Sequence, residues 1–441
     1  MSAAPTPRRA YLLANTPISD DPRVRRVGDL LNANGWAVVG IGLSGGRSSP
    51  PAWPLRTVQW PPAPSPAPSP PAQPPPSPAW RKALRESFIG SVLMHTYIGS
   101  IKNMRAAKRD ALRRFGTPEA VERYIFWQRY PHLLQMRDIA CAQTQPGVWI
   151  ANDWNMLPIA AAAAAHVGGC YVYDSHEFAI EEYAQDRVWR RTLRPIAAAV
   201  ERNRICGARL VTSVSPDITE ALRRIYSVSA PTETIRNVPA LECHAFRATG
   251  AHIRILYHGA LAPGRGLEQA IDAMNMIRPE FDLTIRGGST FAGYPEQLQA
   301  RIDQLGLAPR IRLEAPIPMT QLVSAAAIFD IGLMALPGHS AHNRFALPNK
   351  VFEYMMAGLA LCVSDLPSMR SVVEGAGAGV LIPDVSAETI SQTINSLTRG
   401  AIDGYKQAAL RAANTYNWEQ EGRRLLRALT RLTTQGAPAG A

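Results

Sequence analysis

Apolar runs short enough to be strands alternate with amphipathic stretches along most of this chain. "RAYLLAN" (Arg9–Asn15) reads as a strand, and "DPRVRRVGDLLNANG" (Asp21–Gly35) spaces Val24, Val27, Leu30 and Leu31 along one helical face before a glycine stop. "WAVVGIGL" (Trp36–Leu43) follows as a second strand, which makes a β–α–β opening. The pattern resumes with "GVWIAND" (Gly147–Asp153), the helical "MLPIAAAAAAHVGG" (Met156–Gly169), "CYVYDSHE" (Cys170–Glu177) and "ARLVTSVS" (Ala208–Ser215). After Asn237 it starts afresh: "HIRILYHG" (His252–Gly259), a helix from Gly266 to Met276, "FDLTIRGG" (Phe281–Gly288), "RIRLEAP" (Arg310–Pro316), "FDIGLMAL" (Phe329–Leu336), and "LPNKVFEYMMAGLALCVSDLP" (Leu347–Pro367). Strands alternating with helices predict parallel sheets covered on both faces. Two such runs predict an α/β protein with two Rossmann-like domains, joined near residues 238–250.

One segment breaks the rhythm. "WPPAPSPAPSPPAQPPPSPAW" (Trp60–Trp80) has fixed φ angles and few backbone donors, which suits extended polyproline II and excludes a packed sheet. It reads as an insert at 61–79, either a solvated connector or a docking site for a proline-binding module. The basic segment after it, 80–140, is helical in pattern, with Lys102, Arg105, Lys108, Arg109, Arg113 and Arg114 among Ile98, Ile101, Met104 and Leu112. Such a helix fits an anionic membrane surface or an ordinary covering helix equally well.

At 441 residues the chain exceeds what one ordinary core serves, and length favours two domains. Hydrophobic residues make up 46% and charged residues 19%, with a mean hydropathy of −0.10, which implies sizeable cores and excludes intrinsic disorder. The apolar stretch "LPIAAAAAAHV" from Leu157 falls short of a bilayer span, and the N-terminus lacks a signal-peptide core, so a cytoplasmic location is expected. Cys141, Cys170, Cys206, Cys243 and Cys362 are scattered without metal-ligand spacing and are expected to be reduced and mostly buried. A net charge of +12 and a pI of about 9.8 imply an anionic partner: nucleic acid, a membrane surface or phosphorylated small molecules.

The segment from Leu347 holds a glutamate inside its most hydrophobic turn. Pro348 suits the first helical turn and Gly358 the position just past the end, so Asn349, Glu353 and Ala357 share one stripe while Phe352, Met355 and Met356 pack elsewhere. A helix start at the mouth of a parallel sheet attracts phosphate, and a carboxylate one turn further in can accept hydrogen bonds from two vicinal hydroxyls. Phosphate and diol together describe a nucleotide. The alternative for Glu353 is a local ion pair with Lys350. In "YHGALAPGRGLEQAIDAM" (Tyr257–Met274) a strand ends at Gly259, and Arg265 and Gly266 open the next helix as another anion-attracting start. "IRGGS" (Ile285–Ser289) sets Arg286, Gly287 and Gly288 at a further strand end, where backbone can approach a ligand closely. In the first half, "YDSHEFAIEEY" places His176 and Glu177 after a strand, and "ANDWN" places Asp153 after its neighbour; ligands bind at such carboxyl ends in open α/β sheets.

Taken together, these residues resemble a GT-B-fold glycosyltransferase of family 4, a retaining family that uses nucleotide-sugar donors. The likeness runs through "DPRVRRVGDLLNANGWAVVGIG", "YDSHE", "YHGALAPGRGLEQAI", "LPNKVFEYMMAGLALCVSDLP" and "YNWEQEGRRLLRAL". It implies two Rossmann-like domains facing across a cleft: an acceptor domain at 1–240, a donor domain at 241–415, and a C-terminal helix with a flexible tail at 416–441 that crosses back. It implies that His176, Arg265 and Glu353 are the catalytic set, with Arg265 on the diphosphate, Glu353 on the ribose and His176 near the reacting end of the sugar. Gly259, Gly266, Arg286, Gly287, Gly288, Arg344, Asn349 and Lys350 would complete the donor site, and Asp21, Arg23, Asp153 and Glu177 would lie on the acceptor side. No metal and no cofactor are expected beyond the nucleotide-sugar donor. The expected partners are that donor, a saccharide or lipid-linked acceptor and an anionic membrane surface, but not nucleic acid, and the expected pathway is cell-surface polysaccharide or glycolipid synthesis. Two departures from the family pattern, Phe345 in place of a second glutamate and Ala260 in place of an arginine, motivate the alternative of a catalytically degenerate scaffold that acts as a binding protein.

Overall fold

The computed structural model describes residues 8–46, 48–60 and 106–434. The proline-rich insert and the start of the basic helical segment, including Lys102 and Arg105, lie outside the described residues. Two parallel sheets organise the rest. The first contains β1 (Arg9–Leu13), β2 (Ala37–Leu43), β3 (Leu55–Val58), β4 (Gly147–Asn152), β5 (Gly169–Ser175), β6 (Leu210–Ser213) and β7 (Thr232–Thr234), in the order β3-β2-β1-β4-β5-β6-β7. The second contains β8 (Ile253–His258), β9 (Phe281–Arg286), β10 (Ile311–Glu314), β11 (Ile331–Met334), β12 (Ala360–Ser364) and β13 (Gly379–Ile382), in the order β10-β9-β8-β11-β12-β13. Its five pairings are all parallel. In both sheets the opening strand sits beside the fourth, so the winding direction reverses there; ligands bind beyond the carboxyl ends of the strands at such a switch point.

The chain divides into two compact units, residues 1–173 with 186–209, and residues 174–185 with 210–441. In the first unit, Asp21 caps the helix Pro22–Ala33, its Oδ1 accepting from Val24 N at 3.1 Å, and Pro22 occupies the first turn, where its missing donor costs nothing. The second unit has one continuous core in which Ile255, Leu283, Leu333, Met355 and Cys362 are buried from both faces of the sheet. An extended strap after Asn237 is tied to that core by Arg247, whose guanidinium donates to Asp330 Oδ1 at 2.7 Å; Asp330 also receives Lys406 Nζ at 3.0 Å. The C-terminal helix Trp418–Thr434 is fixed by Glu421, which accepts from Arg236 N at 3.1 Å and Nη1 at 2.9 Å.

Several sequence expectations change. β3, β7 and β13 lack a sequence reading because they are three or four residues long, partly exposed and at sheet edges, where one covered face is enough. The helix expected from Gly266 to Met276 is Leu267–Ala273, with Gly266 in the left-handed region at φ 74° ahead of it. Pro348 precedes the helix Asn349–Met356 as its N-cap instead of sitting in its first turn. Of the cysteines only Cys362, in the middle of β12, is buried; Cys206 and Cys243 are exposed because they sit in a short turn and in the strap. No helix among the described residues is long and apolar enough to cross a membrane.

Candidate active site

Six of the eight residues of the helix Asn349–Met356 are buried, and the stripe left over contains Glu353. Its side chain is 18% exposed, and its Oε2 lies 2.8 Å from Nε2 of His258, the last residue of β8 and only 1% exposed. No hydrogen bond joins Glu353 to Lys350 among the described residues, although its charge still acts on that ammonium: the helix packs over β11 and β12, and its Glu353 and Tyr354 side chains reach the end of β8. Tyr354 holds the same residue from another side, its hydroxyl accepting from His258 N at 2.9 Å. Gly332 makes room for that ring, since a Cβ there would lie 2.3 Å from Tyr354 Cγ.

Lys350 runs back beneath the loop that follows β8. A Cβ on Gly259 would meet its Cε and Nζ at 2.6 Å, and Gly259 has a φ of 128°, so glycine is required twice over. The ammonium lies 5.2 Å from the centre of the Tyr257 ring and has no carboxylate partner among the described residues. Burial, reinforced by the nearby charge of Arg265, pushes its pKa down to about 8 in spite of Glu353. Arg265 is half-buried, and the same charge helps burial push His342 down to about 4, so the 3.5 Å contact of His342 with Glu177 carries no ion pair at neutral pH.

The loops after β8, β9 and β11 close together. Gly259 N donates to Arg286 O and Leu261 N to Gly288 O, both at 2.9 Å. A Cβ on Gly287 would lie 1.8 Å from Gly259 O, and one on Gly266 would lie 1.9 Å from Ala335 O. Arg286, expected to line a donor, gives its Nε to Glu314 at 2.8 Å and lies over Phe329, while its Nη1 is buried without a hydrogen-bond partner among the described residues. Arg344 is exposed and reaches only toward Gly338 O at 3.5 Å. The Phe345 ring packs 5.7 Å from Phe178, and its carbonyl accepts from Ser215 Oγ at 2.6 Å. His176 Nε2 lies 3.2 Å from Asp174, whose other oxygen accepts from Thr212 Oγ1 at 2.6 Å.

The second unit thus brings together Gly259, Arg265, Gly266, Gly287, Lys350 and Glu353 around the ends of β8 and β11. Asn349 begins the same helix and is exposed. The residues expected on the acceptor side are divided between the two units, with Asp21, Arg23 and Asp153 in the first and Glu177 in the second. Asp21 is a helix cap that also receives Thr16 Oγ1 at 2.9 Å, Arg23 is 2% exposed, and Asp153 sits at a φ of 68° before the turn Trp154–Met156. Glu177 is largely exposed. The sequence reading passed over His258, although it is a polar residue at a strand end, the signal that singled out His176.

Residues 247–415 match the family model described as glycosyl transferases group 1. A comparison with curated proteins found no match. Among solved structures the chain is similar to sucrose-phosphate synthase from Thermosynechococcus elongatus, at 16% identity with 97% of this chain and 100% of that one covered and a TM-score of 0.65. It is similar to HepE from Anabaena in complex with UDP-glucose, at 13% identity, coverage of 96% and 99%, and a TM-score of 0.64. It is also similar to a glycosyltransferase from Rickettsia africae, at 10% identity, coverage of 97% and 99%, and a TM-score of 0.61. At such identities the likeness is one of fold, and that fold is GT-B.

Proposed function

Because residues 247–415 form a glycosyl transferases group 1 domain in a chain of GT-B fold, we propose that the protein transfers a sugar from a nucleotide-diphosphate sugar to an acceptor hydroxyl with retained configuration. The observation that carries this reading is the gathering of Arg265, Lys350 and the start of the helix Asn349–Met356 around glycine loops, with Glu353 the carboxylate at hand. Unbalanced positive charge at a switch point suits a diphosphate. Glu353 then accepts the ribose hydroxyls, and Arg265 meets the negative charge that grows on the leaving diphosphate as the bond to the sugar C1 breaks. His176, whose Nε2 lies 3.2 Å from Asp174, would then serve the reacting end of the sugar. HepE was solved with UDP-glucose, which makes a uridine nucleotide the first donor to test. The acceptor would be a saccharide or lipid-linked sugar in surface polysaccharide or glycolipid synthesis, handled by the N-terminal domain beside an anionic membrane surface.

The test is calorimetric titration of wild type and Glu353→Ala with UDP and GDP. One nucleotide is expected to bind wild type below millimolar concentration and to lose roughly tenfold or more in the variant, the cost of a hydrogen bond to a charged group. A wild type that binds neither at millimolar concentration removes the enzyme reading. The degenerate-scaffold alternative has a specific observation in its favour: Phe345 and Phe178 form an apolar contact where the family pattern has a second glutamate. Binding without transfer or hydrolysis of any sugar nucleotide would select it.

A further inference from the structure

The His258–Glu353 pair is closer and more deeply placed than a surface ion pair, and neither the fold nor the proposed chemistry accounts for it. The backbone of β8 is already held, because Tyr354 takes the His258 N–H and the ladder to β9 continues into Gly259. What the imidazole adds is a single bond from Nε2 to Glu353 Oε2 at 2.8 Å. Its Nδ1 is buried and has no hydrogen-bond partner among the described residues. A proton on Nδ1 would leave a buried donor unsatisfied and would turn the Nε2 lone pair toward a carboxylate, so the bonding pattern assigns the proton to Nε2.

A carboxylate offers about four acceptor sites on two oxygens. His258, 1% exposed, occupies one of them on Oε2, while the Glu353 side chain stays 18% exposed and its Oε1 has no hydrogen-bond partner among the described residues. The pair is therefore asymmetric: one oxygen is anchored to the sheet and the other is left for a ligand. Without the anchor, rotation about the terminal bond of Glu353 would present the oxygens in many orientations, and a diol needs one.

We infer that His258 is a positioning residue that sets the carboxylate of Glu353 for a vicinal diol, so that this chain's discrimination between ribose and deoxyribose nucleotides depends on a histidine that never touches the ligand. The inference rests on the reading of Glu353 as the ribose ligand, and the experiment separates the two. Dissociation constants for UDP and 2′-deoxy-UDP, or for the guanosine pair if GDP is the nucleotide bound, are measured on wild type, His258→Leu and His258→Gln. Wild type should favour the ribonucleotide by roughly 10- to 100-fold, the range for a lost hydrogen bond to a charged group. In His258→Leu that ratio should collapse to within about threefold, with deoxynucleotide affinity nearly unchanged, by the same reasoning. Glutamine, whose amide nitrogen reaches the place of Nε2, should restore most of the ratio. If His258→Leu does not fold, His258→Asn, whose amide stops short of Glu353, takes its place. A wild type that binds both nucleotides equally overturns the ribose reading and the inference with it. A discriminating wild type whose leucine variant keeps the ratio, or loses both nucleotides in equal measure, overturns the positioning role alone.

Discussion

The two sheets share a strand order up to the sixth strand, yet the polar residues at their carboxyl ends have different fates. Beyond β1 and β4 the fold takes them up: Asn152 Nδ2 donates to Leu13 O at 2.9 Å, Asn15 Oδ1 lies 2.8 Å from His132 Nε2, and Asp21 closes a helix and a threonine. Beyond β8 and β11 Lys350 makes no ion pair among the described residues, and Glu353 has one oxygen anchored by His258. The same signal, a polar side chain after a parallel strand, thus marks neutral groups bonded within the fold in one half and a buried ammonium beside a carboxylate in the other. What separates them is charge and not full satisfaction, since Asn152 Oδ1 and His132 Nδ1 are buried without a partner among the described residues just as His258 Nδ1 is.

The strongest way to break this contrast is to open the loops of the second sheet. Gly287→Ala would drive a Cβ to 1.8 Å from Gly259 O, a backbone atom that cannot move without disturbing Lys350. We expect a stability loss of about 2–4 kcal/mol, in the range for overpacking a rigid site, and nucleotide binding below detection. Gly35→Ala, at a helix end where a Cβ would meet nothing within 4 Å, should cost only about 1 kcal/mol through its positive φ and leave binding intact. Chemical denaturation and titration of both variants check the pair.

Lys350→Met sharpens the contrast by moving two properties in opposite directions. It removes a buried ammonium that makes no ion pair among the described residues, so stability should hold or rise, whereas diphosphate affinity should fall roughly 10-fold or more. The pH dependence carries the same signature. The pKa of Lys350 in the fold, about 8, is below its ordinary 10.5, so between these values the unfolded chain binds more protons and stability rises with pH. A bound diphosphate favours the charged form, so affinity should fall as pH passes about 8, with proton uptake visible when titrations in buffers of different ionisation enthalpy are compared. A flat profile from pH 7 to 9 would show that Lys350 does not face the ligand.

Much of this architecture can be read from the pattern of the chain, and the failures have physical reasons. Central strands such as β1, β8 and β11 are buried on both faces and appear as continuous apolar runs, whereas β3 and β7 are edge strands with partly exposed residues. The stripe of Glu353 follows from four-residue spacing, but its partner does not: His258 lies 95 positions away and meets it only because the helix packs over β11 and β12, next to the end of β8. Arg286 likewise ends a strand, and its partner Glu314, at 2.8 Å on the neighbouring strand, follows from no local spacing. Periodicity tells which side of an element is buried, and the identity of what it is buried against comes only with tertiary packing.

The smallest expected effect tests the other half of the comparison. Asp21 was expected on the acceptor side of the site, and the structure gives it two bonds of its own, from Val24 N at 3.1 Å and from Thr16 Oγ1 at 2.9 Å. Asp21→Ala removes a side-chain cap from the helix Pro22–Ala33 and should cost about 1 kcal/mol of stability. Asp21→Ser keeps a capping oxygen and should recover most of that loss, while both variants bind nucleotide as wild type does. If instead transfer to an acceptor fell more than tenfold in Asp21→Ser with stability restored, the carboxylate itself would serve the acceptor. The first switch point would then be a site as well as a scaffold, and the contrast between the two sheets would reduce to one of burial.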